Sequence, residues 1–188
     1  MFKAVVVGTS YGGLDALKLI FPRLDKDFPI PVIVVLHIGS HRNDVFVDYL
    51  NDICQLVVKE VDEGESILPG HIYFAPPNYH LLVNDNLTFA LSADEKVNFS
   101  RPSIDVLFES AAWVYRKSLI GVILTGANSD GASGMKIIKR LGGTTIVQNP
   151  SGAISPVMPE FAIEASTPDF VLEIQDIAEK LIELAETM

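Results

Sequence analysis

Apolar residues along this chain follow two spacings. Short runs of small, mostly β-branched apolar residues, as at 32–36, are typical of strands covered on both faces of a sheet. Between these runs, apolar residues recur every three or four positions, as at Leu14, Leu17 and Phe21, which predicts helices. The pattern predicts strands over about 3–7, 32–36, 120–124, 144–148 and 170–173, and helices over about 14–21, 44–51, 102–116, 131–141, 158–165 and from 176 onward.

This alternation predicts an α/β fold: a doubly wound, mostly parallel sheet with helices on both faces. The middle of the chain is more extended, over about 56–61, 71–75, 81–84 and 87–91. A polar triplet at 84–86 separates two short apolar runs, so a small antiparallel hairpin excursion is expected there. With 188 residues and neither a linker nor a repeat, we expect residues 1–188 to form a single domain.

Composition narrows the function classes. A formal net charge of −10 argues against nucleic-acid binding, which needs Lys and Arg to neutralise phosphates, and against an anionic membrane surface. We expect no membrane insertion, since no apolar run reaches about 18 residues, and no export signal is seen. Cys54 is the sole cysteine, so no internal disulfide can form and a cytoplasmic protein is expected. Its apolar surroundings favour a buried structural residue over a nucleophile.

Three polar residues follow three predicted strands. Ser10 lies in a segment, 8–12, that fits the G-x-S-x-G spacing of a nucleophile elbow, where a strand turns sharply into a helix and lifts a hydroxyl above the sheet. His37 and Asp130 follow two further strands, and the carboxyl ends of parallel strands share one edge. A serine needs a base to become nucleophilic, an imidazole is such a base, and a carboxylate orients the imidazole. The sequence therefore predicts a Ser–His–Asp hydrolase site.

Phosphate binding is the main alternative. The glycine-rich segments 8–13 and 126–134 could each hold a phosphate at a helix N-terminus, or simply pack. However, neither segment carries the G-K-[ST] ending of a P-loop or the full G-x-G-x-x-G of a dinucleotide site. A phosphate-binding or signalling module without hydrolase activity stays the alternative function.

Other interpretations of the same polar residues stay open. His37 could cap its strand end, or pair with His41 at a metal, although no further ligand cluster joins them. Asp130 could serve only as the N-cap of the following helix. His71 and His80 are expected at the surface or in loops. We therefore expect no metal site and no cofactor.

Several motifs, in order along nearly the whole chain, resemble the catalytic domain of the chemotaxis-receptor protein-glutamate methylesterase family. They are VGTSYGGL at 7–14, LH at 36–37, APPNYHL at 75–81, SRPSID at 100–105, LTGANSDG at 124–131, QNP at 148–150 and MP at 158–159. By this resemblance the family's nucleophile, base and carboxylate fall on Ser10, His37 and Asp130. Its Thr-Gly-Met loop falls on 125–127, where this chain has alanine in place of methionine.

The resemblance implies an activity and a partner. The expected reaction is hydrolysis of glutamate γ-methyl esters on the helical cytoplasmic region of a receptor, releasing methanol, with deamidation of receptor glutamines as a second activity. Backbone N–H groups near Tyr11, Gly12 and Ala127 would bind the oxyanion. Familiar members carry an N-terminal receiver domain, and here the catalytic segment begins almost at Met1. Self-inhibition by such a domain is therefore not expected, and a separate receiver protein stays open as a partner. Tyr11 is unusual beside the nucleophile and could narrow the cleft or stack on the substrate.

Overall fold

The computed structural model describes residues 1–37 and 43–186. Within these ranges the strands are β1 (Ala4–Thr9), β2 (Val32–Leu36), β3 (Val57–Glu60), β4 (His71–Phe74), β5 (His80–Val83), β6 (Phe89–Ser92), β7 (Leu119–Ile123), β8 (Thr144–Gln148) and β9 (Phe170–Leu172). The α-helices are α1 (Gly13–Ile20), α2 (Asn43–Ile53), α3 (Ile104–Tyr115), α4 (Ala132–Arg140), α5 (Val157–Ser166) and α6 (Ile174–Glu186). Among the helices so described, none is both long and apolar enough to cross a membrane.

Seven strands form one parallel sheet in the order β3-β4-β2-β1-β7-β8-β9. The chain leaves β1 toward β2 on one side, and later returns to β7 on the other side of β1. Such a reversal of winding opens a crevice at the carboxyl ends of the two neighbouring strands, where ligands bind in this class of sheet. The crevice therefore lies above β1 and β7.

Helices cover both faces of this sheet. One apolar core packs α1, α2 and α6 against one face, and the other packs α3, α4 and α5 against the opposite face. Alternate residues of β1 enter the two cores, Val5 and Val7 on one side, Ala4 and Val6 on the other. The continuous apolar strands reflect this double coverage.

The predicted doubly wound fold is confirmed, with element ends that agree with the prediction or differ from it by one or two residues. The predicted hairpin is also present, and it forms a separate two-stranded antiparallel sheet, β5–β6. It docks on α3, where the Val83 N–H donates to Ser110 Oγ at 3.1 Å. The extended segments before it join the parallel sheet as β3 and β4.

Cys54 lies at the end of α2, half-buried and with a free thiol. Burial raises the pKa of this thiol to about 11. Because only the thiolate is a strong nucleophile, a raised pKa disfavours a catalytic role. The structure agrees with the interpretation of Cys54 as a packing residue.

Candidate active site

Ser10 and His37 follow adjacent strands at the same edge of the sheet. Thr9 at the end of β1 is the ladder partner of Leu36 at the end of β2, so Ser10 and His37 occupy the next position on each strand. The His37 N–H donates to the Thr9 carbonyl at 3.1 Å, which continues the ladder to this point. On the other side, the Ser10 N–H donates to the Thr125 carbonyl at 3.0 Å. Ser10 therefore lies in the crevice between the ends of β2 and β7.

Glycines make the turn after β1 possible. Gly12 has a φ of 82°, a left-handed conformation that favours glycine. A Cβ on Gly13 would lie 2.6 Å from Thr9 Oγ1, and a Cβ on Gly8 would lie 2.4 Å from Ile104 Cγ2. The chain can thus turn directly from β1 into α1 while packing closely on its neighbours.

Backbone donors surround Ser10. Within the described residues, the N–H groups of Tyr11 and Gly12 donate to no protein acceptor, and neither does that of Ala127 in the loop after β7. The first two lie just before α1, where helix geometry leaves N–H groups unpaired and slightly positive. Such groups stabilise an oxyanion when they converge on one position.

His37 contacts the carboxylate of Asp130. Its Nε2 lies 3.0 Å from Asp130 Oδ2, and the Asp130 side chain is fully buried. Among the described residues Nε2 has no partner that meets hydrogen-bond geometry, so the two side chains lie close together without an aligned hydrogen bond. Because an ionised carboxylate can only accept, Nε2 carries the proton and Nδ1 keeps its lone pair. Nδ1 lies 3.4 Å from the side-chain amide nitrogen of Asn128, beyond the usual hydrogen-bond distance.

Asp130 accepts hydrogen bonds from several groups besides His37. Its Oδ2 accepts the Ile104 N–H at 2.6 Å, and its Oδ1 accepts from Ser103 Oγ at 2.8 Å, Asn98 Nδ2 at 2.9 Å and the Asp105 N–H at 3.2 Å. Two of these donors are backbone groups of the first turn of α3. Asp130 therefore caps α3, which precedes it in the chain, and contacts His37 at the same time.

These contacts keep Asp130 ionised. Burial by itself raises the pKa of a carboxyl, but hydrogen bonds from His37, Asn98, Ile104 and Ser103 outweigh burial and hold the pKa of Asp130 below its ordinary value. A charged carboxylate at this position stabilises the imidazolium that forms when His37 accepts a proton.

The neighbouring carboxyl, Asp105, has the opposite tendency. Burial and the nearby charge of Asp130 raise the pKa of Asp105, although the N–H of Gly134 and the Asn98 amide partly compensate. The Asp105 carboxylate accepts from the Gly134 N–H and the Asn98 amide, and it joins the start of α3 to the first turn of α4. Asp130, and not Asp105, is the carboxylate partner of the histidine.

Thr125 ties the serine turn to the loop after β7. Its hydroxyl donates to the Tyr11 carbonyl at 2.9 Å and accepts the Ser155 N–H at 2.8 Å. Its own N–H donates to Gln148 Oε1 at 2.9 Å. These bonds hold the loop that contains Ala127 at a fixed position relative to the serine turn.

Tyr11 is 66% exposed, which places a large aromatic ring in solvent directly beside Ser10.

One prediction about a histidine was wrong. His80 is not at the surface or in a loop: it is 2% exposed and begins β5. Its Nδ1 accepts the Ser103 N–H at 3.2 Å, and its Nε2 lies 3.0 Å from the Glu95 carbonyl. It therefore holds in place the segment 103–105, which carries three of the donors to Asp130. No sequence pattern indicates this role.

The remaining alternatives for the polar residues have different outcomes. His41, considered as a metal partner of His37, lies outside the described residues. Within the part of the chain that the structure describes, no group of three His, Cys, Asp or Glu side chains could hold a metal ion.

Two asparagines near the site were missed: Asn98 contacts Asp130, and Asn128 lies near His37. Isolated asparagines in loops have no distinctive sequence pattern, although both lie in segments adjoining or within the recognised motifs.

Comparison with known proteins decides the family. The family model described as CheB methylesterase matches residues 5–181. The chain belongs to the CheB methylesterase family. A relative from Leptospira interrogans, named protein-glutamate methylesterase/protein-glutamine glutaminase, is 51% identical over 183 residues, which are 97% of this chain and 95% of the relative.

Other members of the CheB methylesterase family agree in fold. The crystal structure of the Thermotoga maritima CheB methylesterase catalytic domain matches with a TM-score of 0.94 and 38% identity, covering 98% of this chain and 99% of that domain. The complete Thermotoga maritima protein, also named protein-glutamate methylesterase/protein-glutamine glutaminase, is 38% identical over 185 residues, and the match spans 54% of its length. The resemblance stated from sequence motifs is confirmed.

Proposed function

We propose that this chain is a protein-glutamate methylesterase that hydrolyses γ-methyl esters of glutamate side chains and releases methanol. The observation that carries the proposal is the 3.0 Å contact between His37 and the buried Asp130, at the strand end next to Ser10. A phosphate-binding module would not require such a pair. Membership of the CheB methylesterase family supports the hydrolase over that alternative.

In the proposed reaction, Ser10 Oγ attacks the ester carbonyl carbon. His37 Nδ1 accepts the serine proton, because Nε2 already carries one and faces Asp130. The carbonyl oxygen becomes an oxyanion, which accepts from the N–H groups of Tyr11, Gly12 and Ala127. This role is supported by the lack of any other acceptor for these groups among the described residues. Asn128, 3.4 Å from Nδ1, lies beside the path of the proton.

The intermediate then collapses in two stages. The bond to the methoxy group breaks, His37 returns its proton, and methanol leaves a γ-glutamyl ester on Ser10. Water attacks this ester, His37 accepts a proton from the water, and Ser10 leaves with that proton, giving glutamate. A glutamine side chain would enter the same sequence with ammonia as leaving group, so deamidation is proposed as a second activity. All these steps use side chains and backbone of this chain.

The proposed substrate is the methylated helical cytoplasmic region of a chemotaxis-type receptor. Two relatives, from Leptospira and Thermotoga, carry names that include protein-glutamate methylesterase, which supports a protein-borne ester. The exposed position of Tyr11 beside Ser10 leaves the crevice rim open to a large substrate. We propose the cytoplasm as the place of action, since the receptor region concerned is cytoplasmic.

The test is methanol release from a methylated receptor fragment. Ser10→Ala should abolish turnover, leaving at most the residual acceleration of about 10³- to 10⁴-fold over water that binding and oxyanion donors supply. Ser66→Ala is a matched control, because Ser66 is exposed in the connection between β3 and β4. A fluorophosphonate probe should label native wild-type protein at Ser10 and not the unfolded chain. Full activity of Ser10→Ala would refute the covalent mechanism.

A further inference from the structure

A second feature of the crevice lies on the other side of the histidine. A cavity of about 310 Å³ opens beside His37, and its walls include Lys96, Arg101, Phe99 and Asn78. None of the described residues that line it is acidic. The chain as a whole has 24 acidic against 14 basic residues, so a pocket lined by two cations and no carboxylate departs from the general charge of the protein.

Neither cation is neutralised by the protein. Within residues 1–37 and 43–186, the Lys96 ammonium forms no ion pair and no hydrogen bond, and Arg101 contacts no carboxylate. Lys96 is exposed, whereas Arg101 is partly buried. Both cations line the same cavity, so both would attract an anionic group bound there.

Arg101 is held in a fixed position. Its Nη1 donates to the Ala93 carbonyl at 2.6 Å and to the Asp94 carbonyl at 2.8 Å, while its buried Nε has no partner. A guanidinium with some donors anchored and another free is already oriented before a ligand binds, so less side-chain entropy is lost on binding.

The wall opposite the cations is also positioned by the protein. Asn98 and Phe99 form a turn with φ angles of 50° and 63°, closed by hydrogen bonds between Val97 and Ser100. The Asn98 amide is anchored on the carboxylates of Asp105 and Asp130. Phe99 is therefore presented to solvent, 97% exposed, at the rim of the cavity. An apolar wall beside two cations fits the methylene stem and carboxylate of an acidic side chain.

We propose that this basic pocket, defined by Lys96 and Arg101, binds a glutamate or aspartate carboxylate of the substrate protein close to the ester that Ser10 attacks. The inference rests on the proposed function. The ester itself is neutral, so the chemistry of its cleavage does not account for the two cations. On a helical substrate, residues three or four positions apart lie about 5–6 Å from each other, so an acidic residue one turn from the ester can reach a pocket beside His37. Lys96 and Arg101 thus determine specificity for an acidic flank.

The experiment compares two methylated receptor fragments that differ in one residue. One carries Glu one helical turn from the methylated position, and the other carries Gln there. Wild-type protein should show a kcat/KM about fivefold to tenfold higher for the Glu fragment, and this preference should shrink as salt is raised. Lys96→Glu should remove the preference, mainly by raising KM for the Glu fragment more than for the Gln fragment.

A matched control and a second variant keep the test decisive. Lys26→Glu makes the same charge change on an exposed residue at the amino-terminal edge of the sheet, and it should preserve the preference. The Arg101→Gln variant should also lose the preference. Because the Arg101 side chain donates to two backbone carbonyls, the melting temperature of this variant is measured together with its activity. The inference fails if wild type shows no preference, or if Lys96→Glu slows both fragments equally. If folded wild type releases methanol from neither fragment, the proposed function fails, and this inference with it.

Discussion

Replacing Asp130 by Asn tests whether its carboxylate orients the histidine or only caps α3. The amide keeps one oxygen, and the three donors at the Oδ1 position, from Ser103, Asn98 and Asp105, favour that oxygen there. The amide nitrogen then takes the Oδ2 position, 2.6 Å from the Ile104 nitrogen and 3.0 Å from His37 Nε2. Since the amide nitrogen donates, it favours the tautomer in which Nε2 is the acceptor and Nδ1 carries the proton.

The two consequences of Asp130→Asn have separable magnitudes. With its Nδ1 protonated, His37 cannot accept the serine proton, so kcat should fall by on the order of 10⁴-fold, equivalent to about 5.5 kcal/mol of barrier. Folding loses an acceptor for the buried Ile104 N–H, about 1–3 kcal/mol, and a negative charge at the start of α3, about 0.3–1 kcal/mol. For a domain of this size, we expect a melting temperature lower by roughly 3–16 °C.

The assay is methanol release under saturating substrate, together with thermal unfolding followed by circular dichroism. Asp105→Asn is the matched control, since Asp105 lies beside Asp130 and shares the Asn98 amide. It should alter stability and leave kcat within about tenfold of wild type, because His37 keeps its partner. If Asp130→Asn lowers the melting temperature and reduces kcat by less than about tenfold, Asp130 is only a helix cap and the proposed mechanism is wrong.

Two further predictions concern pH and the serine turn. Hydrogen bonds hold the folded-state pKa of Asp130 below the unfolded value of about 3.9. The ionised carboxylate therefore contributes fully to the free energy of unfolding above about pH 3.9, and this contribution is lost as pH falls through the folded-state pKa. Urea unfolding at pH 7, 5 and 3 should therefore show the stability gap between wild type and Asp130→Asn narrowing at the lowest pH; an equal gap throughout would contradict this. Gly12→Ala should lower kcat by about tenfold or more, since its Cβ would lie 2.7 Å from the Ile154 Cβ and displace the turn beside Ser10. Gly64→Ala is the control, because Gly64 has a φ of 75°, close to the 82° of Gly12, and a Cβ there would have no atom within 4 Å. This variant should lower stability and leave kcat unchanged. Equal kcat values for the two variants would refute the argument.

The order of elements could be predicted from sequence because each depends on local periodicity. The strand 32–36 and the strand 144–148 agree with β2 and β8 to the residue, since both are buried on two faces and bounded by polar or glycine residues. The hairpin was predicted from its turn residues, but its separation from the main sheet follows from docking on α3, which periodicity does not encode.

The residues of the candidate site also differ in whether they could be predicted from the sequence. Ser10, His37 and Asp130 could be proposed from sequence because each lies in the segment that follows a predicted strand, and parallel strands end at one edge. Three roles could not be identified from the sequence: Asp130 as the cap of α3, His80 as a buried acceptor for the Ser103 N–H, and Asn98 as a donor to two carboxylates. Each of these contacts joins residues of different segments, and nothing in the local sequence distinguishes such a residue from a solvated one.

By itself the sequence determined the elements, the edge of the sheet that carries the chemistry, and the family. Only the tertiary structure decided which nitrogen of His37 faces Asp130, which of two neighbouring carboxyls has a lowered pKa, and where two unpaired cations lie beside the histidine. The physical reason is range: periodicity arises from neighbours a few positions apart, whereas proton positions and charge depend on burial and on hydrogen-bond donors that reach the site from distant parts of the chain.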